Sequence, residues 1–244
     1  MQLHTYLALA GLSPADWPLL HQAGFAAEVQ SQHSALAQAL RPEALADLDL
    51  QWQYRVPELG EGGACSLFGH LADAPQDLAR VLGGTGEANT RLLQAVTAVV
   101  RHYQAHSRSH WFGVYQRRLR EGQAPLLLKL AYYGAESRAE FPLTPEFAQG
   151  SNNSAVGLSG QGRIINDVPA YVAQGGEYYT CDPKVMAEAC LPVFGAQGEV
   201  VGIIDSEAFE RGFFQGTELA LLLAVVCTLS GGLLAQQAGT ALAS

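Results

Sequence analysis

Cysteine is scarce and scattered in this chain: of 244 residues only Cys65, Cys181, Cys190 and Cys227 carry thiols, and no two form a Cys-x-x-Cys pair. That excludes a disulfide-stapled scaffold and offers no zinc-ligand spacing, so free thiols in a reducing compartment are expected. Charge is thin as well. Charged residues make up 15% of the chain against 48% apolar ones, which excludes a chain dominated by disorder. Positive charge is thinner still. With 14 Lys and Arg against 23 Asp and Glu, the net charge is −9 and the pI about 5.2; the one basic cluster is Arg117-Arg118-Leu119-Arg120. Such a surface repels a phosphate backbone, and no nucleic-acid partner is expected. The glycines at 150, 157, 160 and 162 have no Gly-Lys-Ser/Thr behind them and no apolar strand before them, so they make no phosphate loop. The opening MQLHTYLALAGLSPADW lacks a basic n-region and breaks at Ser13-Pro14; it does not read as a signal peptide, and a cytoplasmic protein is expected. There is no internal repeat and no low-complexity run.

The chain is long enough for one domain of about 150 residues and an extension. Residues 13–24 predict a short helix with Ser13 as N-cap, Pro14 at the first position and Gly24 as its stop. Leucines at 36, 40, 45, 48 and 50 around Arg41-Pro42 predict two short amphipathic helices with a break between them. Residues 56–86 are rich in Gly, Pro, Ala and Asp and predict a loop with a short helix near Pro75 to Leu82, the best place for a linker. Residues 1–86 are therefore expected as a helical N-terminal extension and linker, and 87–244 as the main domain. A strong amphipathic helix is predicted from Glu87 to Ser107. His102 and His106 lie four apart on it, a spacing that can hold a metal, but no carboxylate or thiol completes the set and no metal is expected.

Trp111 to Arg118 and Leu126 to Tyr133 predict a hairpin, with Trp111, Gly113 and Tyr115 on one strand face. Such aromatics fit a core equally well. From Pro142 to Pro169 the chain is loop-like, with a short helix near Ser154 to Gly160; Ile164, Ile165 and Val168 predict a short strand. Thr217 to Gln236 has no charge after Glu218 and predicts a helix buried on two sides, one against the sheet and one against a partner subunit. It is short for a membrane span and Ser230-Gly231-Gly232 interrupts it, so no membrane association is expected and a homodimer is.

Tyr178 to Glu207 carries most of the chemistry. Cys181 sits in a polar, turn-rich setting beside Asp182-Pro183, where a loop thiol would be accessible, and Glu188 follows seven residues later. CLPVF and VVGIID flank Gly195-Ala196-Gln197-Gly198, the pattern of two antiparallel strands and a tight turn. Asp205 and Glu207, two apart on the second strand, project to the same face. Either they are acids emerging into water at a strand end, or they are buried for a purpose, since burying two acids costs free energy unless they are hydrogen-bonded or share protons. Cys190, directly before LPV on a strand, fits a small core residue.

The WFGVY run at 111–115, Cys181 and Glu188 in TCDPKVMAE, the LPV that follows and GIIDSE at 202–207 together resemble a GAF domain, and more narrowly the free-methionine-(R)-sulfoxide reductases. That family's pattern runs W-x-G-x-Y, then a cysteine with a glutamate seven later before LPL, then G-x-x-D-x-D. The resemblance covers about residues 87–235. It departs at Glu207, where the family has an aspartate, and at Arg138 and Asn153, which stand at the positions matched to the family's other two cysteines. It implies an α+β fold, a GAF-like antiparallel sheet flanked by helices. It also implies Cys181 as nucleophile, with Glu188, Asp205 and Glu207 as catalytic acids and Trp111 and Tyr115 lining a pocket for a small molecule, a free amino acid derivative. Turnover would leave Cys181 as a sulfenic acid; the second thiol must then be Cys190, a distant cysteine or an external reductant, thioredoxin or a small dithiol, with no bound cofactor. A GAF sensor that binds without turnover and a dimerisation module remain the alternatives.

Overall fold

The computed structural model describes residues 1–60, 66–176, 178, 182–235 and 241–242, the side chains of residues 66–68 excepted. The chain opens with α1 (Leu3–Leu9), one 3-10 turn at Pro18–His21, α2 (Ala23–Ala39) and α3 (Pro42–Leu45). The helix expected over 13–24 does not form. Pro18 has no N–H to continue one and biases the residue before it away from the α region; Trp17 sits at φ −130°, ψ 60°. Ser13 instead closes a tight turn, its Oγ accepting from the Asp16 N–H at 3.3 Å, and Gly24 lies inside α2 rather than stopping a helix. The break at Arg41-Pro42 falls where it was expected, but the helix before it is one continuous 17-residue element. In place of the expected loop, two short ribbons follow: β1 (Gln53–Tyr54) pairs with β4 (Gln76–Asp77), and β2 (Pro57–Leu59) with β3 (Ser66–Leu71). The short helix near 75–82 is present as α4 (Leu78–Val81), capped by Asp77, whose side chain accepts from the Arg80 N–H.

The second half builds the sheet. α5 (Glu87–His106) leads into β5 (Trp111–Arg118), β6 (Leu126–Tyr133) and β7 (Glu140–Pro142); α6 (Pro145–Ala148) and α7 (Asn152–Ser159) precede β8 (Arg163–Ile165) and α8 (Val168–Ala173); β9 (Ala187–Phe194), β10 (Val200–Ala208) and α9 (Gly216–Leu229) complete it. The six strands are ordered β7-β6-β5-β10-β9-β8, every neighbouring pair antiparallel. This is the expected α+β antiparallel sheet flanked by helices. Val168 is not in the strand: Asp167 caps a helix there, accepting from the Ala170 N–H at 3.0 Å, with Pro169 in its first turn. α9 ends at Leu229 rather than Gln236, and Gly231 follows it at φ 98°.

Period-2 alternation gives the central strands two different faces. One face carries Phe112, Val114, Leu128, Leu130, Ala189, Leu191, Val193 and Ile204 into a single core shared with α5 and α9. Tyr6, Leu7, Leu20, Phe25, Val29 and Leu36 from the first 40 residues belong to that same core, and α1 and α2 both pack on α9. Tyr6 reaches through to the sheet, donating to Pro192 O at 3.0 Å and meeting the Phe194 ring at 5.7 Å between centroids. The second apolar side of α9, expected to face a partner subunit, is thus covered within the chain, which removes that ground for a dimer. No described helix is long and apolar enough to cross a membrane.

Candidate functional site

The opposite face of β5, β10 and β9 presents a small lattice of side chains. Strand pairing sets Trp111 opposite Glu207, Gly113 opposite Asp205 and Tyr115 opposite Ile203; on the other side of β10, Glu207 faces Glu188 and Asp205 faces Cys190. Glycine at 113 is required by its neighbour: a Cβ there would stand 2.4 Å from the Trp111 ring, which lies over it. Above this lattice is a cavity of about 300 Å³, and Trp111, Tyr115, Glu188, Asp205 and Glu207 all line it. Five of the seven residues singled out from sequence are therefore together. Cys181 lies outside the described residues; Asp182, its successor in the chain, lines the cavity. Cys190 is on the same face but fully buried among Trp111, Tyr115, Val156 and Ile203, and does not line the cavity.

The acids are not a solvated strand end. Asp205 is 4% exposed and Glu188 5%. Like charges set directly opposite on neighbouring strands repel, and burial removes the water that would screen them. Burial, then the neighbouring Glu188 and Glu207, hold the Asp205 carboxyl well above the usual carboxylate range, with Asn153 and the Ser206 N–H opposing. Burial, Glu188 and Asp182 push Glu207 up to about 8, against a lowering by Lys129. Glu188 is raised by burial but has the best support for its charge: Tyr178 and Asn152 hydrogen-bond it, and Arg163 lies nearby. Asn152 Nδ2 donates to Glu188 Oε1 at 3.0 Å, and Asn152 Oδ1 in turn accepts from Arg163 Nη1 at 2.8 Å. Asp205 Oδ1, by contrast, is a buried acceptor without a hydrogen-bond partner among the described residues. At neutral pH the cluster therefore holds at least one proton, on Asp205 or Glu207. Burial, Asp205 and Glu188 likewise raise Cys190, which stays a thiol.

The far wall is the turn after β6. Gly134 sits at φ 103°, where a Cβ would come within 2.7 Å of His110 O and of the Trp111 ring. Three bonds fix the turn to the cavity floor. Trp111 Nε1 donates to Ala135 O at 3.0 Å, Lys129 Nζ to Ser137 O at 2.7 Å and the Tyr115 hydroxyl to Arg138 O at 3.4 Å. Lys129 is fully buried, 3.9 Å from the Tyr132 ring centroid and 4.9 Å from that of Tyr54. Sequence reasoning passed over Lys129, although a lone lysine within LLLKLAYY is the kind of buried polar residue that marks a site. It also passed over Tyr178, Asn152 and Arg163, for which no local signal exists. Arg138 and Asn153, set apart as departures from a family pattern, both line the cavity. His102 and His106 stack on each other at 4.2 Å, and no group of three or more His, Cys, Asp or Glu among the described residues could hold a metal ion.

No protein-family profile matches the chain, and no curated protein matches it. Among solved structures it is similar to a type II free methionine-R-sulfoxide reductase from Thermoplasma acidophilum, at 18% identity over 60% of this chain and 99% of that one, with a TM-score of 0.45. It is similar to the free methionine-R-sulfoxide reductase of Neisseria meningitidis in complex with its substrate, at 15% identity, 59% and 75% coverage and a TM-score of 0.43. It is also similar to the GAF domain of an Acinetobacter phosphoenolpyruvate-protein phosphotransferase, at 14% identity, 60% and 83% coverage and a TM-score of 0.45. What the cavity can do follows from its own residues.

Proposed function

We propose that the protein reduces free methionine-(R)-sulfoxide to methionine, with Cys181 as nucleophile and Glu188, Asp205 and Glu207 as the acids of the site. The observation that carries this reading is the set of three carboxyls sharing one buried face beside Trp111 and Tyr115, in a cavity of amino-acid size. A sulfoxide sulfur accepts a thiol only as its oxygen takes up protons, so the reaction needs an acid still protonated near neutrality. Glu207, pushed up to about 8, and Asp205, held well above the usual carboxylate range by burial and its acid neighbours, are suited to that. The Cys181 sulfur attacks the sulfoxide sulfur while the acid protonates the oxygen. Oxygen passes overall from the substrate sulfur to the cysteine, giving the thioether and a sulfenic acid. An external dithiol then returns the sulfenic acid to a thiol, releasing water and becoming a disulfide. No bound cofactor enters, and a reducing, cytoplasmic setting would supply thioredoxin or a small dithiol.

The test is reduction of free methionine-(R)-sulfoxide by purified protein with dithiothreitol. Wild type should turn over, and Cys181→Ser should abolish this with an unchanged melting curve. Retention of activity in Cys181→Ser would overturn the assignment. A second reading, a sensor that binds a free amino acid without turnover, is favoured by one observation: Arg138 and Asn153 line the cavity where the resemblance would have two more cysteines. Binding of methionine without dithiol-dependent reduction would select it.

A further inference from the structure

We infer that Arg138 is the residue that recognises the carboxylate of a free amino acid in this cavity; the inference rests on reading the cavity as an amino-acid site, whether or not turnover follows. The charged lining is lopsided. Asp182, Glu188, Asp205 and Glu207 surround the floor, Glu136 and Glu146 line the cavity as well, and Asp205 Oδ1, without a hydrogen-bond partner among the described residues, is an acceptor suited to an ammonium group. A ligand carrying only an ammonium would be satisfied there. An amino acid's carboxylate would be repelled from that end by the carboxyls that are ionised there, and it needs a cation elsewhere in the lining. Arg138 is that cation. It stands on the turn that Trp111, Lys129 and Tyr115 hold by hydrogen bonds, so its backbone is fixed by two residues of the cavity lining and by the buried Lys129 beside them.

The side chain is fixed as well. Arg138 Nε donates to Glu140 O at 2.5 Å, and the guanidinium lies over the Phe147 ring at 4.7 Å and the Phe141 ring at 5.6 Å, both rings lining the same cavity. A guanidinium held flat against an aromatic wall loses little further entropy when it binds, and its planar geometry matches a carboxylate in a way that a lysine ammonium does not. A zwitterion therefore lies with its ammonium toward Asp205 and its carboxylate toward Phe147, and its side chain is directed over Trp111 and Tyr115. Internal and N-terminal residues of a peptide, which lack the free α-carboxylate, are disfavoured by the same arrangement.

The test is calorimetric titration at about pH 6 with L-methionine and with L-methioninamide, which keeps the ammonium and loses the carboxylate. Wild type should bind the acid more tightly than the amide by about tenfold or more, the scale of one charge-assisted bidentate contact. Arg138→Gln should lose that preference by weakening the acid while leaving the amide unchanged, and Arg138→Lys should retain part of it. Equal weakening of both ligands in Arg138→Gln would assign the residue a structural role and overturn the inference, as would a preserved preference. Wild type that binds neither ligand would sink the amino-acid reading and this inference with it. Wild type that turns over the free sulfoxide yet binds acid and amide alike would sink only the role of Arg138.

Discussion

The two faces of the same sheet are built to different rules. On the helix-covered face, Phe112, Leu128, Leu191 and Ile204 meet α5 and α9 in an apolar core, where the ring of Phe112 lies 4.2 Å from that of Tyr103 between centroids. On the other, alternate residues of the same strands are Trp111, Lys129, Glu188, Asp205 and Glu207, all buried or half-buried and several of them charged. A strand that alternates Ile204 with Asp205 thus serves two solvents, one hydrocarbon-like and one a polar cavity. The first face supplies stability, and the second uses some of it, because desolvated like charges raise the folded state's free energy.

Substitutions on the two faces should separate these roles. Phe112→Ala should cost about 3–5 kcal/mol of unfolding free energy in denaturant titration, the range for emptying a fully buried aromatic site. A loss below about 1 kcal/mol would mean that the helix-covered face is not the stabilising one. The acid face should make stability depend on pH. An acid whose folded pKa is raised contributes nothing unfavourable below its unfolded value and becomes a liability as pH rises toward its folded value. For Glu207 the window runs from about 4.5 to about 8, so wild type should be most stable near the acid end and lose stability up to pH 8, at up to about 1.4 kcal/mol per pH unit for one group. Glu207→Gln should flatten that slope; an unchanged slope would place the titration elsewhere. Asp205→Asn should have the smallest effect on folding, within about 1 kcal/mol of wild type or stabilising, because it replaces a buried acid beside two other carboxyls with a group that cannot ionise. Ligand binding should fall sharply in the same variant. A large loss of stability with binding intact would invert the comparison.

Much of this was legible in the sequence where the signal was local. The β9-β10 hairpin follows from two apolar runs around Gly195 and Gly198, and the shared face of Asp205 and Glu207 follows from strand periodicity alone. Their burial does not: it depends on Glu188 arriving opposite Glu207, and on α7 bringing Asn152 and Asn153 over both strands. Lys129 was visible as an oddity, but its partners Tyr54, Tyr132 and Ser137 come from three segments. The first 40 residues were the least legible. Pro18 overrode an apparent helix signal, and the target of Phe25, Val29 and Leu36 in α2 was α9, nearly two hundred residues away.

That last pairing has a consequence for how the chain is made. Tyr6 and its hydrogen-bond acceptor at Pro192 are 186 residues apart, and the partners of α1 and α2 in α9 are translated later still. Synthesis therefore yields the covering helices long before the surface they cover. Until residues 216–229 leave the ribosome, Leu7, Leu20, Phe25, Val29 and Leu36 have no α9 against which to pack. Between the emergence of α2 and that of α9 this apolar stripe lacks its α9 cover, so holding by chaperones should matter most for these first helices.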